Sequence, residues 1–206
     1  MSRNIIVTHS GIEYDLDRPR PEQVSALDIA HSLANINRFT GHTTRPYSVA
    51  EHSMVVLGLM QSEYGISNPK ALLATLLHDG HEAYVGDQST PAKDAIGPAW
   101  RNFEDPHEAN VLRRFNVYEA ARDWRSLIKT CDRMALAIEA RDLMPQAKAG
   151  STVWACVAGL VPPASVNLNI GHHAEFKWQD WRDVFLETFG ELHFAVHGDG
   201  QLQVAA

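Results

Sequence analysis

Hydrophobic and polar positions recur along the chain with two periods. Short β-leaning runs at 5–7 and 12–16, separated by His9-Ser10-Gly11, predict a small hairpin. Arg18-Pro19-Arg20-Pro21 is a connector that ends it. From 25 to 37 the residues Leu27, Ile29, Ala30, Leu33, Ala34 and Ile36 follow helical spacing, with Ser25 as N-cap and His31 off the apolar face in solvent. Gly41 and Pro46 turn 37–47 into a loop rich in donors and aromatics. Ser48 and Glu51 form a capping-box pattern for a helix running to about Tyr64. Its inner face is Val49, Ser53, Val56, Leu57 and Met60, and His52 falls on that face.

Gly65 ends this helix and Pro69 opens the next, whose apolar run 72–77 predicts a buried helix continuing into polar residues as far as 87. Residues 88–94 with Gly97-Pro98 read as loop with one short helix, in which Lys93 is the only cation. A charged helix follows over 100–115, broken or restarted at Pro106, with His107 on its surface. From Asp123 or Ser126 to Met144, Leu127, Ile128, Cys131, Met134, Ala135, Ile138 and Leu143 predict a strong helix. Residues 145–171 are interrupted by Gly159, Pro162 and Pro163 and give no clear period. An amphipathic helix over 178–189 closes the pattern, ahead of a short, frayed tail over 193–206.

Taken together, the elements predict a mainly α chain with a small N-terminal β hairpin. With 206 residues, no internal repeat and no domain-scale linker, 1–206 is expected to form a single domain. A net charge of −7 argues against a general nucleic-acid binder, which needs a basic face. It leaves room for small phosphorylated ligands, because a bound cation supplies positive charge that composition does not show. Cys131 and Cys156 lack metal or redox spacing and read as buried reduced thiols. No apolar run is long enough for a bilayer, and no signal-peptide pattern opens the chain, so no membrane and a cytoplasmic setting are expected.

The chemistry concentrates in His78-Asp79-Gly80-His81-Glu82, directly after the core-quality run 72–77. Ionisable groups in a buried segment need compensation, and a bound metal supplies it. The spacing is not that of a zincin, since His78 and His81 are three apart. On a helix, adjacent His78 and Asp79 would grip one ion from two sides, and Glu82 would lie one turn beyond as a general acid or base. Elsewhere the pattern alone favours plainer readings. A lone helical histidine such as His52 is more often a core residue, and Asp132-Arg133 reads as a surface pair. Phe39 serves equally as a core plug, and His172-His173 lacks a third ligand at helical spacing.

Five motifs in order change these weights: Asn37-Arg38-Phe39, Ala50-Glu51-His52-Ser53, His78-Asp79-x-x-Glu82, Gly86-Asp87 and Cys131-Asp132-Arg133. Over 26–144 the chain resembles the HD superfamily of metal-dependent phosphohydrolases, near its bacterial 5′-deoxynucleotidases and the phage dATP triphosphohydrolases. The resemblance implies an HD-domain helical bundle. It also implies that His52, His78, Asp79 and Asp132 bind one divalent metal, with Mn²⁺, Co²⁺, Fe²⁺, Zn²⁺ and Mg²⁺ all suited to the set. Glu82 then corresponds to the catalytic acid or base and Asp87 to its helper, while Arg38, Phe39 and Lys93 correspond to substrate contacts. Phe39 stands where the bacterial monophosphatases carry Trp, and His81 where a small residue is common.

The implied partner is a small nucleotide. The implied reaction is release of phosphate from a deoxyribonucleotide, of either the monophosphate or the triphosphate type, and a homo-oligomer stays open. A silent nucleotide-binding HD module and a (p)ppGpp-type hydrolase are the alternatives. Intact Glu82 and Asp87 weigh against the first, and Ala83 after Glu82 weighs against the second.

Overall fold

The computed structural model describes residues 4–145 and 153–198. Two strands and ten helices occur among them: β1 (Ile5–Val7), β2 (Glu13–Asp15), α1 (Ala26–Asn35), α2 (Val49–Ser62), α3 (Pro69–Leu76), α4 (Glu82–Val85), α5 (Thr90–Ile96), α6 (Pro98–Arg114), α7 (Tyr118–Asp123), α8 (Arg125–Asp142), α9 (His172–Glu175) and α10 (Trp178–His197). The chain is thus mainly helical with one small antiparallel hairpin, in which Ile6 faces Tyr14. No helix among the described residues is long and apolar enough to cross a membrane.

The hairpin is fastened from both ends. The fully buried Tyr14 ring stacks on Tyr84 with centroids 4.0 Å apart, and its hydroxyl lies 2.8 Å from His107 Nδ1. At the turn, the buried Asp28 carboxylate of α1 accepts from the Ser10 amide and hydroxyl, both at 2.7 Å. His107 is therefore buried on α6, not on the surface as its charged neighbourhood predicts. His31, expected in solvent, is half-buried between His9, stacked at 3.6 Å, and the edge of Trp178.

α2 is apolar nearly all round and packs on α8, α3, α1 and α10, which makes it the centre of the bundle. Ser48 caps it by accepting from the Glu51 amide at 3.1 Å. The predicted capping box is only half formed, because the buried Glu51 carboxylate turns away to Arg45 (2.7 and 2.9 Å) and His173 (2.9 Å). Along α10, Trp181, Phe185 and Phe189 recur every four residues and bury one stripe.

Three further elements differ from the sequence expectation. α6 runs unbroken through Pro106, because Pro106 and Asn102 lie on the exposed side, where the carbonyl freed by the proline meets solvent. α10 continues through 193–197, where a frayed tail is expected, and His197 lies 3.2 Å from the Phe115 carbonyl. Cys131 is buried, whereas Cys156 is exposed within the irregular segment; both are free thiols. The remainder of the tail, 199–206, and part of the irregular stretch, 146–152, lie outside the described residues.

Candidate metal centre

The most consequential departure from the expected helices is local. α3 stops at Leu76, and 77–81 form consecutive turns before α4 begins at Glu82. His78 and Asp79 thus leave a turn, not a helix face, so the turn and not helical spacing sets how their side chains approach one point. The backbone holds the turn tightly: the Gly80 amide donates to the Leu77 carbonyl at 2.9 Å and the Glu82 amide to the Asp79 carbonyl at 3.0 Å. A Cβ added at Gly80 would stand 3.1 Å from the Leu77 carbonyl oxygen and 3.1 Å from Val111 Cγ1. We expect Gly80→Ala to destabilise the fold by about 1–3 kcal/mol through overpacking. Urea denaturation measures it, and an unchanged midpoint would show that the turn gives way freely.

The turn brings His78 opposite His52 of α2, with ring centroids 5.3 Å apart. His78 Nδ1 lies 2.8 Å from the Thr75 carbonyl, which can only accept, so Nδ1 carries the proton and Nε2 presents its lone pair. His52 Nδ1 is held at 2.6 Å by Glu139 Oε1, which turns His52 Nε2 toward the same point. Both Nε2 atoms are buried without a hydrogen-bond partner. Asp132 of α8 completes the group: His52, His78 and Asp132 each bring one ligand-type atom within 4.8 Å of the others. Asp79 stands beside them, its Oδ2 3.2 Å from His78 Nε2 and 3.5 Å from His52 Nε2. The four residues named from sequence therefore converge from α2, the 77–81 turn and α8.

The charges fit a cation. Burial would raise the pKa of Asp79, but His78, His52 and Arg38 outweigh it and hold the carboxyl well below the usual range. Asp132 is likewise held low, chiefly by His52 against the effect of burial. Burial and Arg38 push the His52 imidazole down, and Glu139 and Asp132 outweigh them, placing its pKa at about 9. The pocket thus draws positive charge to its centre. Its donor set, two imidazole nitrogens oriented by their other ring atoms plus carboxylates, matches the requirements of a divalent ion.

Arg38, Phe39, Lys93, Glu82 and Asp87 surround this point. The backbone of Asn37 pairs with that of Ser48, closing the 37–48 loop so that Arg38 reaches inward. Its guanidinium lies between Glu139 Oε2 (3.4 Å) and Asp79 Oδ2 (3.6 Å). Phe39 and Thr40 follow with φ of 55° and 53°, a left-handed pair of non-glycine residues that carries backbone strain. The Phe39 ring is half-buried, outside the core, and meets the edge of Trp154 at 6.2 Å. Glu82 is 3 % exposed, with Oε2 unpartnered. Burial raises its pKa well above the usual carboxylate range, and the Asp79 and Asp87 charges add to this. Asp87 is half-buried, and burial raises its own pKa against the pull of Arg38. Lys93 Nζ sits 2.7 Å from Glu104 and 3.9 Å from Glu82.

A cavity of about 210 Å³ opens beside the centre, with His78, Asp79 and Asp132 at one side and Lys93 further along. Arg125 and Lys129 of α8 also line it, and neither is singled out by the sequence. Lys129 precedes Asp132 by one helical turn, a spacing that could have marked it. Glu139, the partner of His52, Arg38 and Tyr47, also escapes the sequence reading. Its signal is a charge on the buried side of α8, two turns beyond Asp132.

No protein-family model matches the chain. An uncharacterized protein of Rhodobacter capsulatus is 36 % identical over 137 residues, which span 65 % of this chain and 70 % of that protein. The uncharacterized protein YfdR of Escherichia coli K12 is 29 % identical over 194 residues, 92 % of this chain and 96 % of YfdR. Among solved structures, the PH0347 protein of Pyrococcus horikoshii superposes with a TM-score of 0.44 at 18 % identity, covering 81 % of this chain and 98 % of that one.

Proposed function

We propose that this chain, which belongs to the same family as the uncharacterized Rhodobacter capsulatus protein, is an HD-type metal-dependent phosphohydrolase acting on deoxyribonucleotides. One observation carries the reading. The buried His52 and the half-buried His78, each with its Nε2 atom buried and unpartnered, converge with Asp132, and Glu82 stands close by as a buried carboxyl with an unpartnered oxygen. A binding site alone has no need of the second feature.

His52, His78, Asp79 and Asp132 are the residues that would hold the metal. When bound, a divalent ion supplies Lewis acidity toward a phosphate oxygen and toward the attacking water. The rest belongs to the chain. Hydrolysis adds water across a phosphorus–oxygen bond, and one proton passes from the water to the leaving oxygen. Glu82, whose pKa burial raises well above the usual carboxylate range, is the group suited to carry that proton. Arg38 and Lys93 are held in place by acids, Arg38 by Glu139 and Asp79 and Lys93 by Glu104, so both cations are oriented before a phosphate arrives. Asp87, near Arg38, steadies that arginine at the phosphate end.

Phe39 sits next to Arg38 and outside the core, where a sugar or base can rest on it. Phe39→Ala is expected to raise KM with little loss of stability. Steady-state kinetics beside a melting curve tests this, and an unchanged KM with a large loss of stability would assign Phe39 to packing instead.

The reading as a whole is tested by incubating metal-loaded protein with dNMPs, NMPs and dNTPs and separating the products by chromatography. Release of phosphate or triphosphate from deoxyribonucleotides is expected. Nucleotide binding with no product from any of them would make the chain a binding module.

A further inference from the structure

A second group of ligand-type side chains lies along the same cavity. His81 ends the 77–81 turn, Glu82 begins α4 and Glu104 comes from α6, and one ligand-type atom of each lies within 4.8 Å of the others. His81 is 6 % exposed and Glu82 3 %. His81 Nδ1 and Glu82 Oε2 are both buried without a hydrogen-bond partner. The place is built for positive charge, and one cation already serves it. Lys93 Nζ is 2.7 Å from Glu104 Oε1 and 3.9 Å from Glu82 Oε1, while His81 Nε2 is 3.3 Å from the same Glu104 oxygen.

We propose that His81, Glu82 and Glu104 form a second divalent-cation site, separate from the His52–His78–Asp132 centre, which Lys93 occupies until metal is in excess. One imidazole and two carboxylates select a borderline transition ion such as Zn²⁺ or Co²⁺ over Ca²⁺ or Mg²⁺, which prefer all-oxygen surroundings. An entering ion has to displace the ammonium and break its close contact with Glu104, so this site is the weaker of the two. The three ligands come from the turn, α4 and α6, so the ion would also tie these elements together, and it would bind only the folded chain. An ion here would occupy the carboxylate that the proposed reaction uses for its proton, so excess metal should slow turnover. That consequence rests on the proposed function, whereas the site itself does not.

The test titrates Co²⁺ into the full metal-stripped chain, read by calorimetry and by the visible absorbance of the bound ion. The wild type should take up two equivalents, the second more weakly. Glu104→Gln and His81→Ser should each lose the second equivalent and keep the first. Lys93→Met removes a competing charge-assisted contact and should tighten the second equivalent by about tenfold or more. A single equivalent at saturation in the wild type would overturn the proposal, as would a second one that persists unchanged in both Glu104→Gln and His81→Ser. His78→Ala separates the two centres, since it should lose only the first equivalent. If it keeps both, the primary centre is misassigned while the second site stands.

Discussion

Glu82→Gln is expected to slow nucleotide hydrolysis by about 10²–10⁴-fold while the ion at the His52–His78–Asp132 centre and nucleotide affinity stay as in the wild type. Glutamine keeps the shape of the side chain and loses only the titratable proton. The position makes the substitution informative. Glu82 is nearly inaccessible, one of its oxygens has no partner, and Asp79 and Asp87 crowd it with negative charge. A carboxyl placed this way is costly unless it serves the chemistry. Lys93 Nζ stands 3.9 Å from Glu82 Oε1, too far to neutralise it by a hydrogen bond. Product release, metal content and nucleotide binding measured side by side decide the matter. A variant that binds metal and nucleotide normally and hydrolyses at the wild-type rate would remove Glu82 from the mechanism.

Glu139→Ala is expected to destabilise the metal-stripped protein by about 3–5 kcal/mol, the cost of stranding buried charge by removing one partner. The Glu139 side chain is fully buried and serves three groups at once: His52 Nδ1 at 2.6 Å, the Tyr47 hydroxyl at 2.9 Å and Arg38 at 3.4 Å. The alanine variant leaves the guanidinium, the imidazole and the phenol without that acceptor. The cost should also appear in metal affinity, which falls by about 10–100-fold when a group orienting a metal-bound histidine is lost. Glu139→Gln, which keeps an acceptor at the same place, should lose less of both. Urea denaturation and metal titration read the two effects, and a stability loss below about 1 kcal/mol would mean that the network is idle.

Much of the fold is legible because it follows from local periods. The hairpin, α1, α2, α8 and α10 announce themselves through apolar spacing, and the cap at Ser48 and the proline at Pro69 mark where α2 and α3 begin. The break after Leu76 is harder to see. The run 72–77 is strongly apolar, and only Gly80 among the following residues hints that the backbone must turn tightly against Val111. Contacts over long sequence separations leave still less trace. His52 and Glu139 are 87 positions apart and Arg38 and Glu139 are 101, so no window of sequence pairs them. His107 fails for the same reason, since its burial depends on Tyr14, 93 positions away. The convergence of His52, His78 and Asp132, by contrast, joins positions that the motif resemblance had already singled out.

The metal centre is the feature on which the mechanism depends, and its most direct measurement is elemental analysis after dialysis into metal-free buffer. Wild-type protein should retain one tightly held divalent ion per chain. His78→Ala and Asp79→Ala should retain none above background and should melt at a lower temperature when metal is supplied to the wild type. Full metal occupancy in either variant would contradict the site.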